Sequence, residues 1–163
     1  MYKLYIKQKV FKLRDVYPVR DAEGKPVYQV DQDFKLLGNT VHVTQLASQR
    51  GFVIDRELFR FMPHYQVRFD DGTSMTIVQR FTFFRKEIEI QSKQFHLTLQ
   101  GDYLWDLNFT VYNGEVQVGQ INKAWLAWGD SYEITVLDSR FEEALLALLI
   151  ALDDILDQER RRD

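Results

Sequence analysis

The chain has 163 residues, which is enough for one domain with a single sizeable hydrophobic core. Its net charge of −3 gives no basic footprint for nucleic acid, and the absence of cysteine excludes disulfides and thiolate metal sites. Lys3 and Lys7 interrupt the first apolar residues, a pattern that argues against a signal peptide. We therefore expect a cytoplasmic protein whose single domain covers residues 1–163.

The first four-fifths of the chain carry the pattern of a β-sheet. Residues 2–13 alternate loosely between aliphatic residues and lysines, which predicts one or two strands with a basic outer face. From Asp21 onward a hairpin unit of about 23 residues recurs, each beginning with a glycine-containing turn. In each unit an aliphatic residue is followed four positions later by a large apolar residue. The pairs are Val30 with Phe34, Ile54 with Leu58, Ile77 with Phe81, and Ile121 with Trp125.

A further pair of strands is predicted between the third and fourth units, turning at Gln100-Gly101-Asp102. The pattern then amounts to about ten to twelve strands, all belonging to hairpins. The positions that we expect to face inward are Val30, Phe34, Val41, Val43, Ile77, Phe81, Ile88, Ile90, Trp125, Ile134 and Val136.

The C-terminal region predicts one helix over about residues 139–156. Ser139 and Glu142 have the spacing of a capping box, and the nine residues from Ala144 to Leu152 are all apolar. This apolar run is shorter than the roughly 20 residues of a membrane span, and it ends at Asp153 and Asp154, where we expect the helix to emerge from its surroundings. Because a helix that is apolar on every side must be enclosed, the hairpins are expected to close around it.

Several segments, in their order along the chain, resemble the LURP-one-related family. They are residues 61–65, 83–86, 101–105, 123–132 and the closing apolar helix. That family is similar in fold to the tubby C-terminal domain, with phospholipid scramblases as distant relatives. The resemblance implies a twelve-stranded closed barrel wrapped around a C-terminal hydrophobic helix. It implies little about activity. Tubby domains bind phosphoinositides through basic residues, but no local motif of theirs matches here, so no binding residue is transferred.

No catalytic or metal-binding motif stands out in the sequence. His42, His64 and His96 lack the spacing of a metal site, and His42 and His96 alternate with apolar neighbours as outward-facing strand residues do. The chain has no nucleophile elbow, phosphate-binding glycine loop or cysteine nucleophile. We therefore expect a protein that is not an enzyme and that needs no cofactor, although an enzyme with an unrecognised site stays an alternative.

Basic residues on neighbouring hairpins are the remaining candidates for a site. We expect them to form a surface patch that recognises anionic phospholipid or phosphoinositide head groups, because arginine binds phosphate with charge-assisted hydrogen bonds. The candidate residues are Arg56, Arg60, Arg80, Arg85 and Lys86. Two other interpretations are a protein-interaction scaffold with no lipid role and the ordinary polar face of alternating strands. We expect a monomer, peripheral to the membrane if it binds lipid, with no transmembrane span and no nucleic-acid partner.

Overall fold

The computed structural model describes residues 1–7, 14–35, 38–81, 86–102, 108–126 and 129–160. Twelve antiparallel strands form a closed barrel, in which the first strand pairs with both the second and the twelfth. The strands are β1 (Tyr2–Lys7), β2 (Arg14–Asp21), β3 (Pro26–Lys35), β4 (Gly38–Gln45), β5 (Gly51–Arg56), β6 (His64–Phe69), β7 (Ser74–Phe81), β8 (Lys86–Ser92), β9 (His96–Asp102), β10 (Asn108–Asn113), β11 (Val116–Leu126) and β12 (Gly129–Val136). The predicted mainly β fold with twelve strands is confirmed.

One helix follows the last strand and occupies the interior of the barrel. A 3₁₀ turn, Ser139–Phe141, leads into α1 (Glu142–Arg160). All nine residues from Ala144 to Leu152 are buried, none of them more than 5% exposed. The apolar run of the sequence is therefore the centre of the core, as predicted.

Both ends of the helix differ in detail from the prediction. Asp138 caps the 3₁₀ turn by accepting a hydrogen bond from Arg140 N, and the Glu142 carboxylate accepts from tyrosine hydroxyls. The predicted capping box of Ser139 and Glu142 is therefore wrong. The helix also extends to Arg160, and Ile155 is still buried, so the helix does not emerge from the barrel at Asp153.

The inward faces of the strands follow the two-residue alternation of the sequence. Seven of the predicted inward residues are buried: Val30, Val41, Val43, Ile77, Ile90, Ile134 and Val136. Ile88 is only partly buried, and the side chains of Phe34, Phe81 and Trp125 lie outside the described residues. Leu58, the predicted partner of Ile54, is 39% exposed because β5 ends at Arg56. His42 and His96 face outward as expected.

Strand pairing arranges the inward residues in rows around the helix. Val41 of β4 is opposite Ile54 of β5, which is opposite Val67 of β6, which is in turn opposite Met75 of β7. All four are at most 4% exposed. Such rows give the helix an aliphatic wall, since residues opposite one another in antiparallel strands present their side chains on the same face.

Two glycines lie where neighbouring atoms approach closely. A Cβ on Gly119 of β11 would lie 2.5 Å from Leu145 Cδ1 of the helix and 2.9 Å from the backbone oxygen of Thr135. A Cβ on Gly101 would lie 2.1 Å from the backbone oxygen of Asn108 in β10. Gly101 is thus inside β9, which continues to Asp102, and the turn predicted at residues 100–102 is wrong.

Candidate functional site

The barrel has two chemically different ends. We call the end at which the helix begins, next to Tyr2 and Val136, the upper end. We call the opposite end, next to Lys7 and Gly129, the lower end. Because consecutive strands are antiparallel, each strand contributes one terminal residue to each end.

Basic residues are concentrated where strands terminate at the lower end. Five of the twelve strand-terminal residues there are lysine or arginine and one, Asp102, is acidic, whereas the twelve at the upper end include no lysine or arginine. We call these five residues the basic rim: Lys7, Arg14, Lys35, Arg56 and Lys86. At the strand termini, lysine and arginine residues are therefore concentrated at the lower end.

The structure places the described members of the predicted patch toward the lower end. Arg56 and Lys86 belong to the basic rim, and Arg80 is the penultimate residue of β7, which ends there. Arg60 lies between β5 and β6, in the loop formed by residues 57–63, which we call the β5–β6 loop. Arg85 lies outside the described residues, as do the side chains of Arg14, Lys35 and Lys86, whose backbone positions alone place them in the basic rim.

The three described arginines of that patch each contact an acidic side chain. Arg60 Nε is 2.7 Å from Glu57 Oε2, and Arg80 forms an ion pair with Glu89. Both arginines are more than half exposed, so these pairs are solvated and weak. Arg56 differs, because it donates to Gln158 Oε1 at 2.5 Å and lies 3.8 Å from Asp154 Oδ2.

The contacts of Arg56 belong to a polar network inside the lower end. Tyr65 Oη donates to Asp154 Oδ2 at 2.7 Å, and Gln158 Nε2 donates to the same oxygen at 2.7 Å. The preceding residue of the helix, Asp153, accepts from Tyr132 Oη through its Oδ1 at 2.8 Å. Burial and the Asp154 carboxylate raise the pKa of Tyr65 well above its ordinary value. Tyr65 therefore stays protonated, and the two tyrosines hold the C-terminal part of the helix to the barrel wall.

A small cavity of about 10 Å³ lies beside this network. Its lining residues include Gln32, Arg56, Tyr65 and Asp154. Gln32 is 1% exposed, and its Oε1 has no hydrogen-bond partner in the described part of the chain. No local sequence pattern predicts this arrangement, because the four residues come from β3, β5, β6 and the helix.

The upper end also joins tyrosines to the helix, in acidic surroundings. Tyr2 and Tyr28 both donate to the Glu142 carboxylate, and burial followed by that contact raises the pKa of each phenol. Glu143 lines an open cleft of about 290 Å³ together with Asp70 and Asp71. Burial, then the negative charges of Asp71, Glu142 and Asp70, raise the pKa of Glu143. Arg50 lines the same cleft and partly offsets these negative charges.

The β5–β6 loop exposes two aromatic rings at the lower end. Phe59 is 96% exposed and Phe61 is 89% exposed, with Arg60 between them. Phe59 has a φ of 58°, in the left-handed region that non-glycine residues seldom occupy. The sequence pattern does not predict this loop, because Leu58 and its neighbours have the composition of a strand.

The described residues contain no group of three or more histidine, aspartate or glutamate side chains placed to hold a metal ion. Within the same residues, no helix is both long enough and apolar enough to cross a membrane.

Comparison with known proteins agrees with the architecture. A family model described as LURP-one-related matches residues 2–153, a range that spans all twelve strands and the helix as far as Asp153. The chain is similar to a protein of Bacillus subtilis (strain 168) named uncharacterized protein YxjI, with 28% identity over 159 residues, covering 96% of this chain and 94% of that protein. No solved structure matches significantly. Neither description names a catalytic activity. The match along nearly the whole chain, on a closed barrel with a buried C-terminal helix, shows that the protein belongs to the LURP-one-related family.

Proposed function

We propose that the protein is a non-catalytic module that binds anionic phospholipid head groups at the cytoplasmic face of a membrane, through the lower end of its barrel. The observation that carries the proposal is the basic rim, which places five lysine and arginine residues around one end. Each basic residue near an anionic bilayer contributes about 1 kcal/mol to attachment. Arginine also offers two parallel donors to a phosphate group.

The distribution of charge supports the proposal more strongly than the net charge does. The upper end carries Asp70, Asp71, Glu142 and Glu143 close to the start of the helix. Lys25, Arg50, Lys93 and Arg140 also lie in the turns of the upper end, but acidic residues outnumber them there. Such a difference in charge between the two ends favours one orientation at a negatively charged surface. The lower end would therefore approach the bilayer first.

The predicted residues Arg60 and Arg80 are available to a phosphate at small cost. Their partners Glu57 and Glu89 form exposed ion pairs, which typically contribute about 0 to 1 kcal/mol. A lipid phosphate can replace such a carboxylate with little loss. Arg56 is less available, because its guanidinium already binds Gln158 and Asp154 at the wall of the barrel.

Co-sedimentation of the full chain with vesicles tests the proposal. We expect binding to phosphatidylcholine vesicles that contain phosphatidylserine, no binding to phosphatidylcholine alone, and release at about 0.5 M salt, where screening is strong. The variant Lys7→Gln/Lys86→Gln removes two charges from the basic rim and should bind much more weakly. The matched control, Lys25→Gln/Lys93→Gln, removes two exposed lysines from turns at the upper end and should bind like the native chain.

The comparison of the two double variants separates a local site from overall charge. If both weaken binding equally, attachment follows net charge and the lower end is no site. If the native chain does not bind phosphatidylserine or phosphoinositide vesicles at low salt, the proposal is wrong.

A second candidate function is recognition of a protein partner at the upper end. Exposed apolar residues lie there on or next to three neighbouring strands: Met1 directly before β1, Tyr2 on β1, Val116 on β11, and Leu137 directly after β12. Affinity capture that survives moderate salt and is lost on Val116→Glu would favour this candidate. Capture unaffected by that substitution would argue against the patch.

A further inference from the structure

The β5–β6 loop is held at its base while its aromatic rings project into solvent. Glu57 N donates to His64 O at 2.9 Å, which closes the loop, and the Glu57 carboxylate accepts from Arg60 Nε at 2.7 Å. At the end of the loop, Pro63 O accepts from Gln79 N of β7 at 3.1 Å. The segment between these anchors contains Phe59 and Phe61, so the rings are exposed on a defined support.

Two almost fully exposed phenylalanines, separated by Arg60 alone, find no apolar environment in the described part of the molecule. Burial of a phenylalanine ring is strongly favourable, and the left-handed backbone of Phe59 is unfavourable for an aromatic residue. The interior of the barrel offers no space, since the helix fills it and Ile54 and Tyr65 on the flanking strands are 2% exposed. The surroundings of these rings in the functional state must therefore come from outside the described chain.

The charged residues near Phe59 and Phe61 indicate which apolar environment these rings enter. The rings flank Arg60 and lie at the end of the barrel that bears the basic rim. Aromatic rings beside basic residues match the chemistry of an anionic bilayer surface, where apolar groups reach below the head groups and cations remain at the phosphates.

We propose that the protein docks end-on to an anionic bilayer, with Phe59 and Phe61 inserted below the phosphates and the upper end directed away from the membrane. This inference rests on the proposed function and adds the part of the molecule that enters the lipid. Arg60 is then at the level of the phosphates, where exchange of its Glu57 partner for a lipid phosphate keeps it paired.

Depth-dependent fluorescence tests this arrangement, because the chain has no cysteine of its own. Leu58→Cys places an environment-sensitive label in the β5–β6 loop and leaves both rings intact. Leu46→Cys is the matched control: Leu46 is also a leucine, it is likewise 39% exposed, and it lies in the turn after β4 at the upper end. With phosphatidylserine vesicles, we expect the label at position 58 to shift to the blue and to be quenched by nitroxide lipids, and the label at position 46 to do neither.

A double substitution measures what the rings contribute. Phe59→Ser/Phe61→Ser should reduce vesicle partitioning by at least about tenfold, since burying even one such ring exceeds the energy of a tenfold change. Circular dichroism should show an unchanged fold, because neither ring is buried in the protein.

The outcomes distinguish this inference from the proposed function. Co-sedimentation without quenching at position 58, or with equal quenching at positions 58 and 46, overturns end-on insertion and leaves head-group binding intact. Failure of the native chain to co-sediment overturns both. Quenching at position 58 alone, together with weaker partitioning of the serine variant, supports the inference.

Discussion

The hydroxyl of Tyr65 donates to Asp154 Oδ2 at 2.7 Å and so joins strand β6 to the central helix, two residues after the apolar run ends at Leu152. Gln158 Nε2 donates to the same carboxylate oxygen and lies 3.2 Å from the Tyr65 oxygen. A carboxylate inside a barrel is costly unless it is fully hydrogen-bonded. The lower end of the barrel is therefore stabilised by a small set of polar contacts around Asp154.

Tyr65→Phe should lower the free energy of unfolding by about 1.5 to 3 kcal/mol, because it removes a hydrogen bond to a charged group. Urea unfolding followed by circular dichroism measures the change. Tyr112→Phe is the control, since the Tyr112 hydroxyl has no partner among the described residues and little change is expected there. Equal effects of the two substitutions would show that Tyr65 does not support Asp154.

Alkaline pH should destabilise the protein through Tyr28 and Tyr65. Burial first, and then Glu142 or Asp154, raise the pKa of each phenol in the folded state above its unfolded value of about 10. The stabilisation that follows from this difference in pKa is fully present below about pH 10, and it is lost as the pH rises toward the pKa of the folded state. Each tyrosine contributes a slope of up to about 1.4 kcal/mol per pH unit in that window.

The test is the unfolding free energy measured from about pH 9 upward, with tyrosinate absorbance as a second signal. The variant Tyr28→Phe/Tyr65→Phe should start less stable and lose stability less steeply than the native chain. Parallel slopes would mean that these phenols titrate alike in the folded and unfolded states.

Gln32→Met should stabilise the protein. The Gln32 side chain is buried and its Oε1 has no partner among the described residues, so an apolar side chain of similar length removes a desolvation cost of about 1 to 3 kcal/mol. Thermal unfolding checks the sign of the change. The comparison variant Gln158→Met should have the opposite effect, because Gln158 bonds to Tyr65, Arg56 and Asp154. A destabilised Gln32→Met variant would show that this carbonyl is hydrogen-bonded in solution.

Gly119→Val should destabilise the core by about 1 to 3 kcal/mol or more, because its side chain would clash with Leu145 and with the backbone of Thr135. A double-mutant cycle with Gly119→Ala and Leu145→Ala locates the clash. The double variant should be more stable than the sum of the single effects predicts. Strict additivity would mean that the helix does not pass close to Gly119.

The sequence predicted the fold well, because two signals point the same way. Nine apolar residues from Ala144 to Leu152 require a complete enclosure, and hairpins with regular inward positions such as Val30, Val43 and Ile77 can provide one. Predictions made from short segments of the sequence were less accurate. A turn was predicted at Gly101, but this glycine lies inside a strand where two backbones approach closely. Ser139 and Glu142 have the spacing of a capping box, but the Glu142 carboxylate accepts hydrogen bonds from tyrosines instead.

The candidate site could be predicted only in part. Arginines and lysines on alternating strands are recognisable from the sequence, but their concentration at one end depends on which strand termini share that end after closure. The role of Arg56 illustrates the limit. Its contacts with Asp154 and Gln158 join residues about a hundred positions apart in the sequence. No local pattern around Arg56 predicts contacts over such a distance.

The tyrosine contacts at the two ends of the barrel have a consequence for how the helix is positioned along its axis. Contacts between leucine side chains and an aliphatic wall stabilise the helix but do not specify its position along the axis, because a shift by one residue would bury nearly the same surface. Glu142 with Tyr28 at the upper end and Asp154 with Tyr65 at the lower end mark two fixed points, separated by about 18 Å at 1.5 Å per residue. These two contacts fix the position of the helix along its axis. One residue inserted between them would turn the second contact by about 100° and break it, whereas the same insertion in a surface turn would leave both intact.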